Sequence, residues 1–199
     1  MPVLGITGGI ATGKSTFVRE LKGCFSAEYF DADASAKELL ESDPKVRAEI
    51  VRIFGDQIYP TAAGPDRALL RELVFTNAAK REELEAILHP AIRRQWVARA
   101  EFHSRAETWL CVDIPLLYET GAQNLFHRIA VVACSDQTQR RRLEHDRGLT
   151  RELLEKILAA QLDLQAKMRQ AHHLIWNDST PFCLAGQAAL LARLLDRVG

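Results

Sequence analysis

The chain has 199 residues, with 26 basic and 26 acidic side chains, so its formal net charge is zero; 47% of its residues are hydrophobic and 26% are charged. That is the length of one ordinary domain, or of a core with a smaller appended lobe, and the composition of a soluble globular protein rather than a disordered one. A neutral balance lacks the positive excess that a general nucleic-acid or acidic-membrane binder needs, so neither partner is expected.

Residues 3–7 are apolar, β-prone and followed by glycines, which predicts a buried strand. Residues 14–23 predict a helix, and residues 28–30 a second short strand ending at Asp31-Ala32-Asp33. From Ala34 to about Arg105 the pattern is almost entirely helical, with breaks at Asp43-Pro44, Tyr59-Pro60, Gly64-Pro65 and His89-Pro90. The last of these predicts a helix junction, because proline suits the first turn of a new helix. Strands return at residues 108–114 and 128–133, each with the near-continuous apolar run of a strand covered on both faces. Ser135 opens a charged helix to about His145. Thr150 is a good N-cap for a helix to about Gln170, with Leu153, Leu154, Ile157, Leu158 and Leu162 at helical spacing. Residues 173–176 predict a last strand and residues 182–197 a closing helix. This alternation predicts an α/β fold with a parallel sheet, interrupted between strands two and three by a helical lobe.

No apolar run approaches the ~20 residues of a membrane helix; the longest, 110–118, is broken by Asp113 and Pro115. No leader-type segment is evident at the N-terminus. The four cysteines, Cys24, Cys111, Cys134 and Cys183, are widely spaced, which disfavours a zinc site or disulfide framework. Cys111 and Cys134 lie in apolar stretches and are expected to pack as small hydrophobes. A reducing, cytoplasmic location is the expectation.

The strongest motif is Gly8-Gly9-Ile10-Ala11-Thr12-Gly13-Lys14-Ser15, which matches G-x-x-x-x-G-K-[ST] between a strand and a helix. Glycines let the chain wrap close to a polyphosphate with backbone N–H groups turned inward, and the helix start adds partial positive charge. Lys14 can bridge β- and γ-phosphates, and the Ser15 hydroxyl can ligate a magnesium ion shared with them. No guanine-reading N-K-x-D segment is present, so a small-molecule kinase fits better than a GTPase.

A kinase also needs an acceptor-side carboxylate and cations that close over the phosphates. Asp31-Ala32-Asp33 supplies two carboxylates at a strand end, the ligand-facing end of a parallel sheet. If that segment is extended, both point one way. On spacing, Asp33 reads equally as a proton acceptor or as the N-cap of the following helix. Arg140, Arg141 and Arg142 point three ways on a helix, so not all can reach one phosphate. Arg147 follows in the next turn, and Asp113 is placed like the acidic residue that ends a Walker-B strand.

Further segments sharpen the reading. These are Ile6-Thr7-Gly8-Gly9-Ile10, Phe30-Asp31-Ala32-Asp33, Leu70-Arg71 to Val74-Phe75, Leu88-His89-Pro90-Ala91-Ile92 and Ile114-Pro115-Leu116-Leu117-Tyr118-Glu119. They are followed by Gln139 to Arg142, Gly148-Leu149-Thr150 and Ala159-Ala160-Gln161. In this order the set resembles the dephospho-coenzyme A kinase family over nearly the whole chain. The resemblance implies a three-layer P-loop NTPase fold with a parallel sheet, a helical substrate-binding insertion and a helical lid. It divides one kinase domain into a nucleotide-binding core of about 1–35, 106–138 and 171–199, an acceptor lobe of about 36–105 and a lid of about 139–170.

The implied reaction is ATP-dependent phosphorylation of the ribose 3′-hydroxyl of dephospho-coenzyme A, the final step of coenzyme A synthesis, with magnesium as cofactor. The resemblance makes Asp33 the general base and gives Lys14 and the lid arginine Arg142 catalytic roles. Gly9, Ala11, Thr12, Gly13, Lys14, Ser15, Thr16, Arg142 and Asn177 then hold ATP. Asp33, Arg71, His89 and Leu117 belong to the acceptor side, and Ser15 holds magnesium, joined through water by Asp33. His89 reads equally as a polar helix-junction residue, and Leu116, Leu117 and Tyr118 as core filling. The implied partners are ATP and dephospho-coenzyme A, without nucleic acid or membrane, for a monomer or small homo-oligomer. Two departures stand out: Ala11-Thr12 replaces a frequent glycine-serine, and Asp146-Arg147 reverses a frequent arginine-aspartate order, leaving Arg142 as the arginine expected at the phosphates. The alternatives are a P-loop kinase for another nucleotide or small-metabolite acceptor, and a non-enzymatic nucleotide-gated binding module.

Overall fold

The computed structural model describes residues 2–61, 64–102, 108–146, 148 and 150–197. Five strands form one sheet in the order β2-β3-β1-β4-β5, made of β1 (Val3–Gly8), β2 (Ala27–Asp31), β3 (Trp109–Asp113), β4 (Arg128–Ala133) and β5 (His173–Trp176). β1 runs parallel to β3 on one side, with Ile6 opposite Asp113, and to β4 on the other, with Gly8 opposite Val132; β4 runs parallel to β5. β1 is buried at every position, the pattern of a strand covered on both faces.

The chain divides into two compact units, residues 1–30 with 102–199, and residues 31–101. In the first, α1 (Lys14–Cys24) and α9 (Pro181–Asp196) build the core against the sheet. Phe17, Val18 and Leu21 of α1 and Leu184, Ala188, Leu191, Ala192 and Leu195 of α9 pack with Leu4, Ile6, Ala130, Val132 and Ile175. Thr180 caps α9, accepting the Cys183 N–H at 3.4 Å, and Pro181 opens the helix where its missing N–H costs nothing. Cys111 and Cys134 are both buried, and burial pushes their thiols up to about 12 and about 11 respectively.

Between β4 and β5 lie α6 (Asp136–Arg141), a π-helical turn (Arg142–Asp146), α7 (Arg151–Ala159) and α8 (Leu164–Arg169). The single helix expected from Thr150 to about Gln170 is therefore two. Thr150 does cap α7, accepting the Leu153 N–H at 3.4 Å. The Leu162 N–H donates instead to the Glu119 carboxylate at 3.0 Å, and Asp163 starts a new helix by accepting the Ala166 N–H at 3.0 Å. A tertiary hydrogen bond and a local cap outweigh continued helical spacing there.

The second unit contains α2 (Ala32–Ser42), α3 (Pro44–Phe54), α4 (Arg67–Thr76) and α5 (Ala78–Phe102). Leu39, Val46, Ile50, Phe54, Ile58, Leu70, Leu88 and Ala91 form its core. Asp43 ends α2 and caps α3, accepting from the N–H groups of Lys45 at 2.8 Å and Val46 at 3.0 Å, with Pro44 at the first helical position. The junction expected at His89-Pro90 is absent: α5 runs through Pro90 without a break. Proline removes the bond to the carbonyl four residues back. Leu88 and Ala91 nevertheless continue one buried apolar face across it, and that burial keeps the helix intact. α2 likewise starts earlier than expected, at Ala32, so Asp31 and Asp33 do not share an extended segment.

Candidate active site

Residues 8–15 join β1 to α1 in a tight turn that two positions make possible. Gly13, the residue before α1, has φ 92° and ψ 21°, the left-handed region where glycine is favoured. A β-carbon there would also run into the Asn177 side-chain amide nitrogen. Ala11 has φ 59° and is the one described non-glycine residue with positive φ. An L-residue in that region costs roughly 1–2 kcal/mol, so its surroundings must hold it there. Thr12 is fully buried and donates its hydroxyl to the Gly9 carbonyl at 2.8 Å, closing the turn from within.

Lys14 is the first residue of α1, and its ammonium donates to the carboxylate of Asp113, the last residue of β3, in an ion pair with both side chains 14% exposed. This gives Asp113 a definite partner in the cradle. Ser15 is exposed and Thr16 half-buried in the first turn of α1.

Arg142 lies against the back of the loop. One guanidinium nitrogen is 3.3 Å from both the Ala11 and Thr12 carbonyls, and another donates to the Asn177 carbonyl at 2.9 Å. The buried Asn177 side chain donates to the same Thr12 carbonyl at 2.8 Å. Arg142 and Asn177, 35 positions apart, are thus brought to one stretch of loop backbone. The other two arginines go elsewhere: Arg140 pairs with Asp136 at 2.7 Å and with Glu155, and Arg141 is exposed. Arg147 lies outside the described residues.

The remaining expected residues fall as follows. Asp33 is exposed in the first turn of α2, and the capping role belongs to Asp31, which accepts the Ala34 N–H at 3.0 Å. Arg71 is exposed on α4. His89 is half-buried in α5, and burial holds its imidazole below the usual histidine range, aided by Arg93 and opposed by Glu85. Leu117 is fully buried, and a β-carbon on Gly5 of β1 would sit 2.6 Å from its Cδ1. That is the packing of a core side chain.

Sequence reasoning missed four residues around the loop. Gln139 donates its side-chain amide to the Ile10 carbonyl at 2.7 Å, and the Gln161 side chain accepts the Ile10 N–H at 3.2 Å. Lys167 is fully buried, pairs with Glu119 at 2.6 Å and lies 3.4 Å from the Gly8 carbonyl. A lysine between Ala166 and Met168 in a six-residue helix carries no pattern that marks it as buried. The two glutamines sit inside segments quoted above only for their resemblance.

Among the described residues no cluster of three or more His, Cys, Asp or Glu side chains is placed to hold a metal ion. Magnesium bound with a triphosphate needs fewer protein ligands, because phosphates and waters fill most of its coordination. The exposed Ser15 hydroxyl beside the Lys14–Asp113 pair suits that kind of site. No helix among the described residues is long and apolar enough to cross a membrane.

Residues 2–181 match the family model described as dephospho-CoA kinase. The chain is 40% identical over 200 residues to the dephospho-CoA kinase of Anaeromyxobacter dehalogenans, covering 98% of this chain and 92% of that one. It is 38% identical over 181 residues to the dephospho-CoA kinase of Geobacillus kaustophilus, covering 89% and 88%. Its fold is similar to the solved structure of dephospho-CoA kinase from Campylobacter jejuni, with TM-score 0.74, 24% identity and 98% of each chain covered. A parallel sheet entering a phosphate-type loop, and a family match across nine-tenths of the residues, lead to one conclusion: the chain belongs to the dephospho-CoA kinase family.

Proposed function

We propose that this protein transfers the γ-phosphoryl group of ATP to the ribose 3′-hydroxyl of dephospho-coenzyme A, giving coenzyme A and ADP. The observation that carries the reading is a strand–loop–helix with Lys14 at the helix start, in a chain that matches the family model over residues 2–181. Phosphoryl transfer asks little covalent chemistry of a protein; positioning and charge stabilisation do most of the work.

The roles divide as follows. The loop amides and the start of α1 receive the phosphates, and Lys14 exchanges Asp113 for their oxygens. Arg142 adds positive charge from the loop's other side. Asp33, freed from capping by Asp31, accepts the proton of the 3′-hydroxyl. The bond from the γ-phosphorus to the bridging oxygen breaks as the bond to the 3′-oxygen forms, and ADP leaves with the electron pair. Magnesium, when bound, neutralises charge on the phosphate oxygens, and Ser15 is the residue to hold it, with Asp33 acting through water. Residues 139–170 serve as a lid that excludes water as a competing acceptor. The residue 31–101 unit binds the acceptor, with Arg71 and His89 as its contacts.

The test is incubation of the protein with ATP, magnesium and dephospho-coenzyme A, with products read by mass. The expected result is coenzyme A and ADP in equal amounts. Phosphorylation of other nucleotides or small metabolites in preference to dephospho-coenzyme A would replace this reading with a different acceptor.

A further inference from the structure

Two glutamines from different segments hold the two faces of one residue in the loop. Gln139 of α6 donates Nε2 to the Ile10 carbonyl at 2.7 Å, and Gln161, between α7 and α8, accepts the Ile10 N–H on Oε1 at 3.2 Å. The orientation of each carboxamide is forced, since a backbone carbonyl only accepts and an N–H only donates. Gln139 is 6% exposed. The segment carrying Gln161 is itself anchored, because Leu162 donates to Glu119, which pairs with Lys167.

A cavity of about 230 Å³ lies beside the two side chains, lined by Gly9, Gln139, Gln161 and Leu164 among others. The two hydrogen bonds fix how each carboxamide is turned.

The consequence falls on Ala11. A trans peptide is planar, with its C=O and N–H pointing in opposite directions. Holding the Ile10 carbonyl on Gln139 therefore aims the Ala11 N–H the other way and restrains the peptide that leads into φ 59° at Ala11. We propose that Gln139 and Gln161 are positioning residues that hold Ala11 in its left-handed conformation, so that the loop's amides are already aimed when the nucleotide's phosphates arrive. This rests on the reading that residues 8–15 take those phosphates.

A double-mutant cycle on the full chain tests it, with affinity for magnesium-ADP read by titration calorimetry. Gln139→Met and Gln161→Met keep side-chain length and remove the hydrogen bonds. Each is expected to weaken binding about tenfold or more, in line with the cost of small misplacements at reacting sites. Ala11→Gly removes the conformational penalty that the clamp offsets. In that background the same two changes are expected to cost no more than about threefold, a coupling of the kind seen between directly linked residues. Unchanged affinity in both single variants overturns the proposal. So does an equal loss with and without Ala11→Gly, which would mean that the glutamines act only through general stability. Thermal midpoints without nucleotide report whether each variant is folded, and Gln161→Met carries the test if Gln139→Met is not. Failure of the unaltered protein to bind magnesium-ADP would overturn the reading of the loop itself, an outcome distinct from either result with the variants.

Discussion

The ammonium of Lys14, at the first residue of α1, is paired with the carboxylate of Asp113, at the last residue of β3. The two meet because β1 and β3 are adjacent and parallel, with Ile6 opposite Asp113, so the loop leaving β1 carries Lys14 back over the end of β3. The pair holds the Lys14 ammonium in one orientation at the start of α1.

Lys14→Ala is expected to lower kcat about 100–1,000-fold, the range for loss of a preorganised group that stabilises developing charge, and to weaken ATP binding as well. Asp33→Asn is expected to lower kcat about 100-fold or more, as for loss of a general base, with ATP affinity nearly unchanged. Steady-state kinetics with ATP and dephospho-coenzyme A separate the two. Full turnover by Asp33→Asn would remove Asp33 from the mechanism.

Arg142 donates to the loop carbonyls of Ala11 and Thr12 and to the carbonyl of Asn177. Lysine has no planar fork with which to reproduce this. Arg142→Ala should cost about 10³-fold in kcat/KM, by comparison with phosphoryl-transfer arginines, and Arg142→Lys should recover little of it. A full rescue by lysine would mean that only the charge matters.

Gly13→Ala combines a left-handed φ of 92° with a β-carbon that collides with the Asn177 side chain. The conformational part alone is about 1–2 kcal/mol. Magnesium-ADP binding should be lost, and the denaturation midpoint should fall. Retained binding would show that the loop can be rebuilt around an alanine.

Lys167→Met should destabilise the fold by about 3 kcal/mol, the lower end for breaking a buried pair, because Glu119 keeps some contact with water at 19% side-chain exposure. For a chain of this size each kcal/mol is about 2–4 °C in Tm. Adding Glu119→Gln removes the orphaned charge while keeping an acceptor for the Leu162 N–H, so most of the lost Tm should return. Calorimetric melting of the single and double variants measures both steps.

Stability should also fall in mild acid. Burial holds the His173 imidazole below its ordinary value of 6.5, with His172 and Arg128 adding to the effect, and burial does the same at His89. A histidine with a depressed pKa in the fold is neutral there while the unfolded chain already binds a proton, so stability rises with pH across that window. The contribution is complete above about pH 6.5 and is lost as pH falls through the folded values. Urea midpoints should therefore be flat above pH 7 and decline below about pH 6.5, and His173→Gln should flatten that decline. A profile that declines equally in the variant would place the titrating group elsewhere.

Local order made much of this protein legible from its residues alone. The strands at 128–133 and 173–176 match their expected limits, because continuous apolar runs bounded by polar turns have few other solutions. The loop of residues 8–15 is written in adjacent residues, and so its position between β1 and α1 could be read directly. Whatever depended on distant partners could not. Pro90 stays inside α5 because Leu88 and Ala91 are buried in one core, a fact no dipeptide carries. Asp31, not Asp33, caps α2, because the helix begins at Ala32. Glu119, Gln139, Gln161 and Lys167 gather behind the loop only once β1, β3 and β4 are side by side, and Lys167 is buried only because Glu119 is there to pair with it. Spacing along the chain sets what a segment can form; burial and hydrogen-bond partners, which exist only after folding, decide which of those possibilities survives and which side chains it brings to the loop.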